Sequence, residues 1–416
     1  MNTVDTLWVL VAAGLTLFMT PGLALFYGGM VRSKNVLAVM MNNFAAMGVI
    51  TILWIAVGAS LAFGKDLGGG LLGDTSLSGL SNLGTQLPGF HGVGASPMSV
   101  LVFQLMFAII TAALISGGTT DRIKFSSFLV LIVLWFFLVY VPLAHWVFSP
   151  TGWLASRGVL DFAGGTVVEI NSGFSTLAIV MVLGRRRGWP GEAMAPHSVP
   201  LSLLGVGILW FGWFGFNAGS SLSMGSVAVS AFVATQAAAA AGLVGWLLFE
   251  RFTESFPTTL GAASGAVAGL VAITPCAGFV GPVPALIIGG VAGVLCALAV
   301  RLKFKLRYDD SLDVLGVHGV GGLIGMLLLG VFASKAINPA GRDGLLNGGG
   351  LHLLGTEAMA AAVTVVFAFG VTWLLAKCID LTLGLRVSPE DEFNGLDLTQ
   401  HAESAYSLGG MGRISS

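Results

Sequence analysis

Continuous apolar runs of about twenty residues dominate this sequence of 416 residues. A helix needs about 20 such residues to cross the hydrocarbon core of a bilayer. Strands of an outer-membrane barrel would instead alternate apolar and polar residues over about ten positions. Only 9% of the residues are Asp, Glu, Lys or Arg, too few to cover a soluble globule. The chain is therefore predicted to be an all-α membrane protein.

The composition also excludes several classes of function. A disordered chain has low hydrophobicity and high net charge, whereas this one is 55% hydrophobic with a formal net charge of −1. That charge balance offers no basic surface to a nucleic acid. Cys276, Cys296 and Cys378 are far apart and show no metal-binding or redox spacing. We therefore predict neither a metal nor a cofactor.

Eleven transmembrane helices are predicted from the apolar runs. They lie at residues 6–29, 36–63, 97–117, 125–148, 164–184, 198–218, 226–250, 259–279, 283–301, 313–333 and 354–381. An odd number of spans places the two termini on opposite sides of the membrane. The spans form one transmembrane domain, residues 1–381, and a polar tail follows at residues 382–416.

The positions of Lys and Arg indicate which side faces the cytoplasm, because cytoplasmic loops are enriched in them. One set of connections, together with the end of the last helix and the tail, holds 15 of the 19 Lys and Arg residues. They are Arg32, Lys34, Arg122, Lys124, Arg185, Arg186, Arg187, Arg251, Arg301, Lys303, Lys305, Arg307, Lys377, Arg386 and Arg413. The opposite connections hold Lys65, Arg157, Lys335 and Arg342. The N-terminus is therefore predicted outside and the C-terminus in the cytoplasm.

Two matching segments indicate an internal repeat. Asp161 lies eight residues before Glu169, near the start of the fifth span. Asp310 lies eight residues before His318, near the start of the tenth. Spans that are five apart run in opposite directions, so we predict an inverted five-plus-five repeat with the last helix left over, an arrangement common in transporters.

Glu169 and His318 are ionisable residues deep within predicted spans, where such groups are costly and usually functional. One interpretation is a proton or cation relay in a narrow pore, because imidazole titrates near neutrality. The alternative is a structural pair in which each side chain satisfies the other. Asp161 suits a helix N-cap, and a substrate-binding carboxylate is the second interpretation of that residue.

Aromatic residues recur at helical spacing on two spans. Phe103 and Phe107 are four residues apart on the third span. Trp213, Phe216 and Ser220 fall on one face of the sixth. Packing is the ordinary explanation of such stripes. The alternative is a site for a small cation, held by cation–π attraction and one hydrogen bond.

Five segments of the sequence resemble the ammonium transporter family (Amt/Mep/Rh). They are MTPGLALFYGGMVRSKN (19–35), DFAGGTVVEINSG (161–173), WFGWFGFNAGS (210–220), DVLGVHGVGG (313–322) and, in the tail, GLDLTQHAESAY (395–406). The resemblance extends over the whole chain. It implies an eleven-helix homotrimer of the cytoplasmic (inner) membrane, with one pore per subunit and no enzymatic activity. It also implies inward transport, in which ammonium loses its proton at the outer vestibule and ammonia crosses an apolar pore.

The resemblance assigns roles to individual residues. Phe107 and Phe216 match the stacked pair that closes the outer pore, and Phe107 also borders the region that recruits ammonium. Trp213 and Ser220 match residues of that recruitment region. Asp161 matches the family's aspartate that supports cation binding.

The sequence departs from the family pattern at three positions. His318 matches the second histidine of the pore's twin-His pair, but Glu169 occupies the first position, as in some fungal relatives. Phe148 stands where the recruitment site usually has Trp, and it keeps a π face but lacks the indole N–H. Ala402 stands where the tail usually has glycine.

The resemblance, which includes the tail, also implies a regulatory partner, a trimeric PII signal protein of the GlnK type at the cytoplasmic face. The basic residues of the connection at 301–307 are expected to pair with four acids of the tail, Glu390, Asp391, Glu392 and Asp397. Two other functions stay open, an ammonium sensor with little flux and an Rh-like gas channel. A membrane enzyme is less consistent with the sequence, which shows no metal cluster or nucleophile constellation.

Overall fold

A computed structural model describes residues 1–406, and residues 407–416 of the predicted tail lie outside the described part. Ten helices within it are long and apolar enough to cross a membrane. They are Thr3–Met30 (α1), Val36–Phe63 (α2), Pro97–Thr119 (α3), Phe125–Phe148 (α4), Gly165–Leu183 (α5), Val199–Gly219 (α6), Ser226–Thr253 (α7), Pro282–Leu306 (α9), Leu315–Phe332 (α10) and His352–Thr382 (α11). A shorter helix, Thr259–Ile273, is α8. No strand forms between residues 1 and 406, which confirms the prediction of an all-α protein.

The eighth predicted span, 259–279, is only partly helical. Helix α8 has 15 residues, or about 22 Å at 1.5 Å per residue, which is less than a bilayer core of about 30 Å. Residues 274–279 form turns, and Pro275 among them cannot donate an amide hydrogen to extend the helix. A count of eleven membrane crossings therefore stays a prediction, as does the orientation of the termini.

Wide π-helical turns occur in four of the helices. Trp54–Gly58 lies within α2 and Phe136–Tyr140 within α4. Gly165–Ile170 begins α5, and Leu315–Gly319 begins α10. Such turns are rare and frequently occur at functional sites. The turns that begin α5 and α10 contain the two residues singled out as a possible relay.

Helices α5 and α10 cross closely just beyond these turns. A Cβ added at Gly173 of α5 would overlap the backbone of Gly319 of α10. A Cβ added at Gly322 would lie 2.9 Å from the Cβ of Glu169. Glycine at these positions lets the two backbones approach, and the approach places Glu169 opposite His318.

Buried arginines tie together the loops that precede and follow this crossing. Arg122 is fully buried and donates to the backbone oxygen of Gly184 (2.9 Å) and to Oγ of Ser311 (2.7 Å). Arg186 pairs with Asp309 at 2.8 Å. Burial lowers the pKa of Arg122 to about 10, so its guanidinium still carries a charge at neutral pH. The loop before α10 is thereby fixed to the loop after α5.

The described part of the tail lies against the connections that carry most of the basic residues. It contains two short helices, Pro389–Asn394 (α12) and Leu396–His401 (α13). A carboxylate oxygen of Asp397 accepts the N–H of Ala38 at the start of α2 (2.8 Å). The Asn35 side chain in turn accepts the N–H of Leu396 (2.8 Å). These bonds attach the tail to the first turn of α2.

The expected pairing of the tail acids with residues 301–307 is wrong within the described residues. Glu392 binds Arg386 at 2.6 Å instead, and Asp397 serves as an acceptor at α2. Of the basic residues concerned, Arg301 pairs with Glu254 and Lys303 with Asp313. Arg301 and Lys303 are thus paired with acids of neighbouring loops and not with acids of the tail.

The backbone conformation of Ala402, at the end of α13, predicts that glycine would be more stable at this position. Ala402 lies in the left-handed backbone region, with φ 56°, where an L-residue with a Cβ loses about 1 kcal/mol. We expect Ala402→Gly to stabilise the attached tail by about 0.5–1 kcal/mol, seen as slower hydrogen exchange of the tail amides. Ala405→Gly is the control, since Ala405 is not left-handed. Equal slowing in both variants, or in neither, would contradict this account.

Candidate functional site

An aromatic cluster lies where α3, α4 and α6 meet. The rings of Phe107 and Phe216 are stacked, with centroids 4.2 Å apart and planes 16° apart, and both are buried. Phe148 meets Phe107 edge-on at 5.9 Å, and Phe103 does so at 4.9 Å. Trp213 meets Phe216 edge-on at 5.7 Å. The structure therefore brings together all the aromatic residues that the sequence singled out.

Two polar groups of this cluster are already bonded to the protein. The indole N–H of Trp213 donates to Oγ1 of Thr274 (2.9 Å), which itself donates to the backbone of Leu270 (2.8 Å). The hydroxyl of Ser220 donates to the backbone oxygen of Phe216 (2.9 Å). Trp213 therefore offers only its π face to a ligand, whereas Ser220 keeps lone pairs that can accept a hydrogen bond.

Asp161 caps the first turn of α5. Its carboxylate accepts the amide N–H groups of Gly164 (2.7 Å), Gly165 (2.6 Å) and Thr166 (2.8 Å), and also the Thr166 hydroxyl. Negative charge at a helix N-terminus is favourable. Because its oxygens are occupied by these donors, Asp161 has the geometry of a helix cap and offers a ligand its charge but no free oxygen for direct contact.

Glu169 and His318 form one buried hydrogen-bonded pair. Oε2 of Glu169 lies 2.7 Å from Nδ1 of His318, and the residues are 1% and 4% exposed. When Nδ1–H donates to the carboxylate, the other ring nitrogen of a neutral histidine is an acceptor. The pair can therefore hold a proton at two positions and exchange it with a third group.

A line of three cavities passes this pair. The first, of about 10 Å³, is lined mainly by apolar side chains and by Trp213, Phe216, Glu169 and His318. The second, of about 30 Å³, extends from His318 to Asp313. The third is an open vestibule of about 530 Å³ that begins at Asp313. A water molecule needs about 10–15 Å³, so the first two cavities suit one or two very small molecules.

Several residues at the site escaped the sequence analysis. Thr274 orients Trp213, as described above, and Glu357 is fully buried with Oε1 accepting the N–H of Leu160 (2.8 Å), next to Asp161. Lys303 and Asp313 form an ion pair at the vestibule. The three acids of the segment YDDSLD (308–313) could have indicated the pair of Lys303 and Asp313. No feature of the sequence marked Thr274. Between residues 1 and 406, no three His, Cys, Asp or Glu side chains are grouped to hold a metal.

Comparison with known proteins places the chain among related sequences. The model of the Ammonium Transporter Family matches residues 7–406. An ammonium transporter of Mycobacterium tuberculosis is 49% identical over 97% of this chain and 90% of its own length. An ammonium transporter of Bacillus subtilis is 46% identical, covering 97% of this chain and 98% of the relative. Ammonium transporter Amt1 of Archaeoglobus fulgidus is 43% identical over 98% and 100%.

Solved structures show the same arrangement of helices. The crystal structure of Saccharomyces cerevisiae Mep2 matches with a TM-score of 0.88 at 34% identity, over 94% of this chain and 88% of that one. A structure described as a sensor Amt protein matches with a TM-score of 0.87 at 32% identity, over 96% and 98%. With the family model matched almost from end to end and several relatives above 40% identity, this chain belongs to the ammonium transporter family.

Proposed function

We propose that this chain transports ammonium into the cell, and that ammonia and the proton cross it by separate steps. The observation that carries the proposal is the line of cavities from the stack of Phe107 and Phe216 past Glu169 and His318. The membership of the chain in the ammonium transporter family supports the same proposal. Its relatives in Mycobacterium tuberculosis and Bacillus subtilis are named as ammonium transporters. The narrow, mainly apolar first cavity favours a neutral molecule, because a bare ion loses its hydration there.

The topology belongs to the same proposal. Eleven crossings with the N-terminus outside fit the distribution of Lys and Arg, and the shared π turns that begin α5 and α10 support an inverted repeat. Residues 1–381 form the transporter domain and 382–416 the regulatory tail. The protein is a homotrimer of the inner membrane, and exposed apolar residues such as Phe211 and Val229 provide surface for lipid or subunit contacts.

Ammonium is recruited at the outer aromatic cluster. Phe107, Phe148 and Trp213 supply π faces, and a cation near such a face gains about 0.5–2 kcal/mol. Ser220 accepts one hydrogen bond through its free lone pairs. The charge of Asp161, fixed at the start of α5, makes this end of the pore more favourable for a cation. Phe107 and Phe216 then act as the gate that separates the recruited ion from the cavity.

Glu169 and His318 form the proton relay. The carboxylate and the imidazole share one hydrogen bond, so a proton can rest on either partner. Their site borders both inner cavities, and it therefore contacts the path of ammonia while providing a separate position for the proton. An ionised pair is also more polar than two imidazoles, which favours retained water and a selectivity for ammonium over potassium that is equal or poorer.

A second candidate function is an ammonium sensor with little flux. The observation that favours it is the match to a sensor Amt protein with a TM-score of 0.87. A sensor would need the recruitment cluster but not the continuous cavities. Electrical currents in proteoliposomes after an ammonium pulse distinguish the two functions, because a transporter gives sustained flux and a sensor gives only a small binding signal.

The gate generates a prediction. Phe216→Leu removes the stacked π surface and keeps the site apolar, so we expect transport to fall by about tenfold or more, equal to about 1.4 kcal/mol. The measurement is the ammonium current of purified protein in proteoliposomes. Phe214→Leu is the matched control, because Phe214 stacks on Phe232 (4.0 Å) and does not line the cavities. Normal currents in a folded Phe216→Leu protein would refute the assignment of the gate.

The relay generates a second prediction. Glu169→His should still conduct, with a pH profile that differs from that of the wild type, because two imidazoles replace the carboxylate–imidazole unit. Glu169→Ala removes the partner of His318 and should lose most charge movement. The measurement is a series of currents across pH for the three proteins, with thermal unfolding as the check of folding. Three superimposable profiles would show that Glu169 only fills the pore wall.

Regulation by a PII protein of the GlnK type generates a third prediction. The tail is attached through Asp397 and Glu392 to α2 and to Arg386, next to the face where a loop of the regulator would enter each pore. Ending the chain after Pro389 removes both contacts, and we expect weaker inhibition or lower activity with the membrane domain still folded. The measurement is PII binding and ammonium current with and without 2-oxoglutarate. A PII protein that binds at no effector level would refute this partner.

A further inference from the structure

A buried histidine near the outer aromatic cluster has no role in the proposed function. His145 lies near the end of α4 and is fully buried. Its Nδ1 lies 2.8 Å from the backbone oxygen of Ala62, and its Nε2 lies 3.3 Å from a carboxylate oxygen of Asp66. A backbone carbonyl and an ionised carboxylate can only accept hydrogen bonds. Both ring nitrogens therefore face acceptors.

Only the charged form of His145 satisfies both contacts. A neutral imidazole has one N–H donor, so either tautomer points a lone pair at one of the two oxygens. An imidazolium has two N–H donors and can bond to both. Because imidazole titrates near neutrality, a modest change of pH decides whether the second contact is attractive or repulsive.

The carboxylate of Asp66 keeps its charge while the imidazole titrates. Burial alone would raise the pKa of Asp66, but hydrogen bonds from the amides of Gly70 and Gly68 and from His145 lower that pKa below its ordinary value. The side chain of Asp66 is 23% exposed, so solvent reaches the pair. The carboxylate therefore attracts an imidazolium and repels the lone pair of a neutral ring.

The other acceptor lies at the end of α2. The last four backbone oxygens of a helix have no partner within it, and a positive charge beside them is favourable. The oxygen of Leu61 accepts the N–H of Gly73 (2.7 Å), and the oxygen of Ala62 faces His145. A protonated His145 thus caps α2 and pairs with Asp66 at the same time.

Residues 64–74, which follow α2, lie against the end of α4. The indole N–H of Trp146 donates to the backbone oxygen of Leu71 (2.9 Å). The backbone N–H of Trp153 donates to the backbone oxygen of Gly70 (3.0 Å). These two bonds do not depend on pH, whereas the contact between His145 and its carboxylate does.

The pair also lies close to the recruitment cluster. Phe148, whose ring meets Phe107 edge-on at 5.9 Å, follows His145 by about one turn of α4. What holds His145 in place therefore also fixes the end of the helix that presents Phe148.

Other charged groups nearby have partners of their own or are exposed. On the segments packed against this end of α4 they are Lys65, Asp74, Arg157, Asp161, Glu169 and Glu357. Asp74 and Arg157 bond within their own loops, and the three acids of the pore region bond to amides or to His318. Among the described residues, Asp66 is the one ionisable group bonded to His145.

We propose that His145 and Asp66 form an acid-sensitive latch that fastens residues 64–74 to the end of α4, beside the aromatic cluster. In acid, both N–H groups donate and the latch is closed. As the pH rises, Nε2 loses its proton, the attraction to Asp66 is lost, and residues 64–74 are held by their other bonds alone. The latch does not rest on the proposed function, and only its assignment to the outer face of the membrane does.

The competing explanation is a permanent cap. In that case a neutral His145 donates from Nδ1 to Ala62 at every pH, and Asp66 contributes nothing. A permanent cap gives residues 64–74 the same local stability in acid and in alkali, whereas a latch makes them more stable in acid.

The test is hydrogen exchange of the full-length purified protein, measured by mass spectrometry at about pH 5.5 and about pH 8, on either side of the titration of imidazole. Each rate is corrected for the chemical effect of pH on exchange. In the wild type we expect the protection of residues 64–74 to be about tenfold greater in acid, as for one hydrogen bond between charged groups.

Two variants remove the titration or the charge. His145→Gln keeps an N–H donor for Ala62 but does not titrate, so its protection should differ by less than about twofold between the two pH values. Asp66→Asn keeps an oxygen and adds an N–H that can satisfy a neutral imidazole, so it should lose the response as well. Because Asp66 is partly exposed, this variant keeps the test decisive where His145→Gln does not fold.

His91→Gln is the matched control, because His91 is an exposed histidine of the same loop, residues 64–96, and should leave the wild-type response unchanged. Thermal unfolding of each variant shows whether the membrane domain is intact. A wild type without the response, or a response that persists in His145→Gln or Asp66→Asn, would overturn the latch in favour of a permanent cap. Equal loss of the response in His91→Gln, or failure of both latch variants to fold, would overturn it too.

Discussion

The hydrogen bond between Glu169 and His318 depends on how closely two helices approach. A carboxyl or an imidazole buried alone at this depth loses its hydration without compensation, so each residue requires the other. They meet at 2.7 Å because glycine at 173 and at 319 removes the side chains that would hold α5 and α10 apart. A buried network around Arg122 fixes the loops on either side. Both small cavities border the pair.

Polar groups around the pore are mostly satisfied by the protein itself. The indole N–H of Trp213 is bonded to Thr274, and the carboxylate of Asp161 is bonded to the amides at the start of α5. What stays free for a ligand is a set of aromatic faces, the lone pairs of Ser220, and the Glu169–His318 pair. Such a set suits a small cation at the aromatic faces and a neutral molecule in the first cavity, because the walls of that cavity are mainly apolar apart from Glu169 and His318.

The sequence contained much of this site but not its fine geometry. Helical spacing and depth identified Glu169, His318 and the aromatic stripe, since apolar surroundings make an ionisable residue conspicuous. The end of α8 at Ile273 was missed, because the apolar residues around Pro275 continue the run and hide the break. The attachment of Asp397 to α2 was missed too, because contacts more than 350 residues apart leave no periodic signal. Thr274 could not be distinguished from other threonines in the sequence, because its role depends on where α8 ends and on the contact with Trp213.

The two ends of the pore treat charge differently although the helices that form them begin alike. At the start of α5, the carboxylate of Asp161 is compensated by backbone amides and by the Thr166 hydroxyl, which are neutral donors. At the inner end, the carboxylate of Asp313 is neutralised by a full positive charge on Lys303. Amide dipoles leave most of a carboxylate's charge in place, whereas an ion pair cancels it beyond a few ångströms. The two helix starts thus share a capping acid, since Asp310 accepts the N–H of Leu315 (2.7 Å) much as Asp161 accepts the amides of α5. They differ in the ion pair that Asp313 and Lys303 add beside the start of α10.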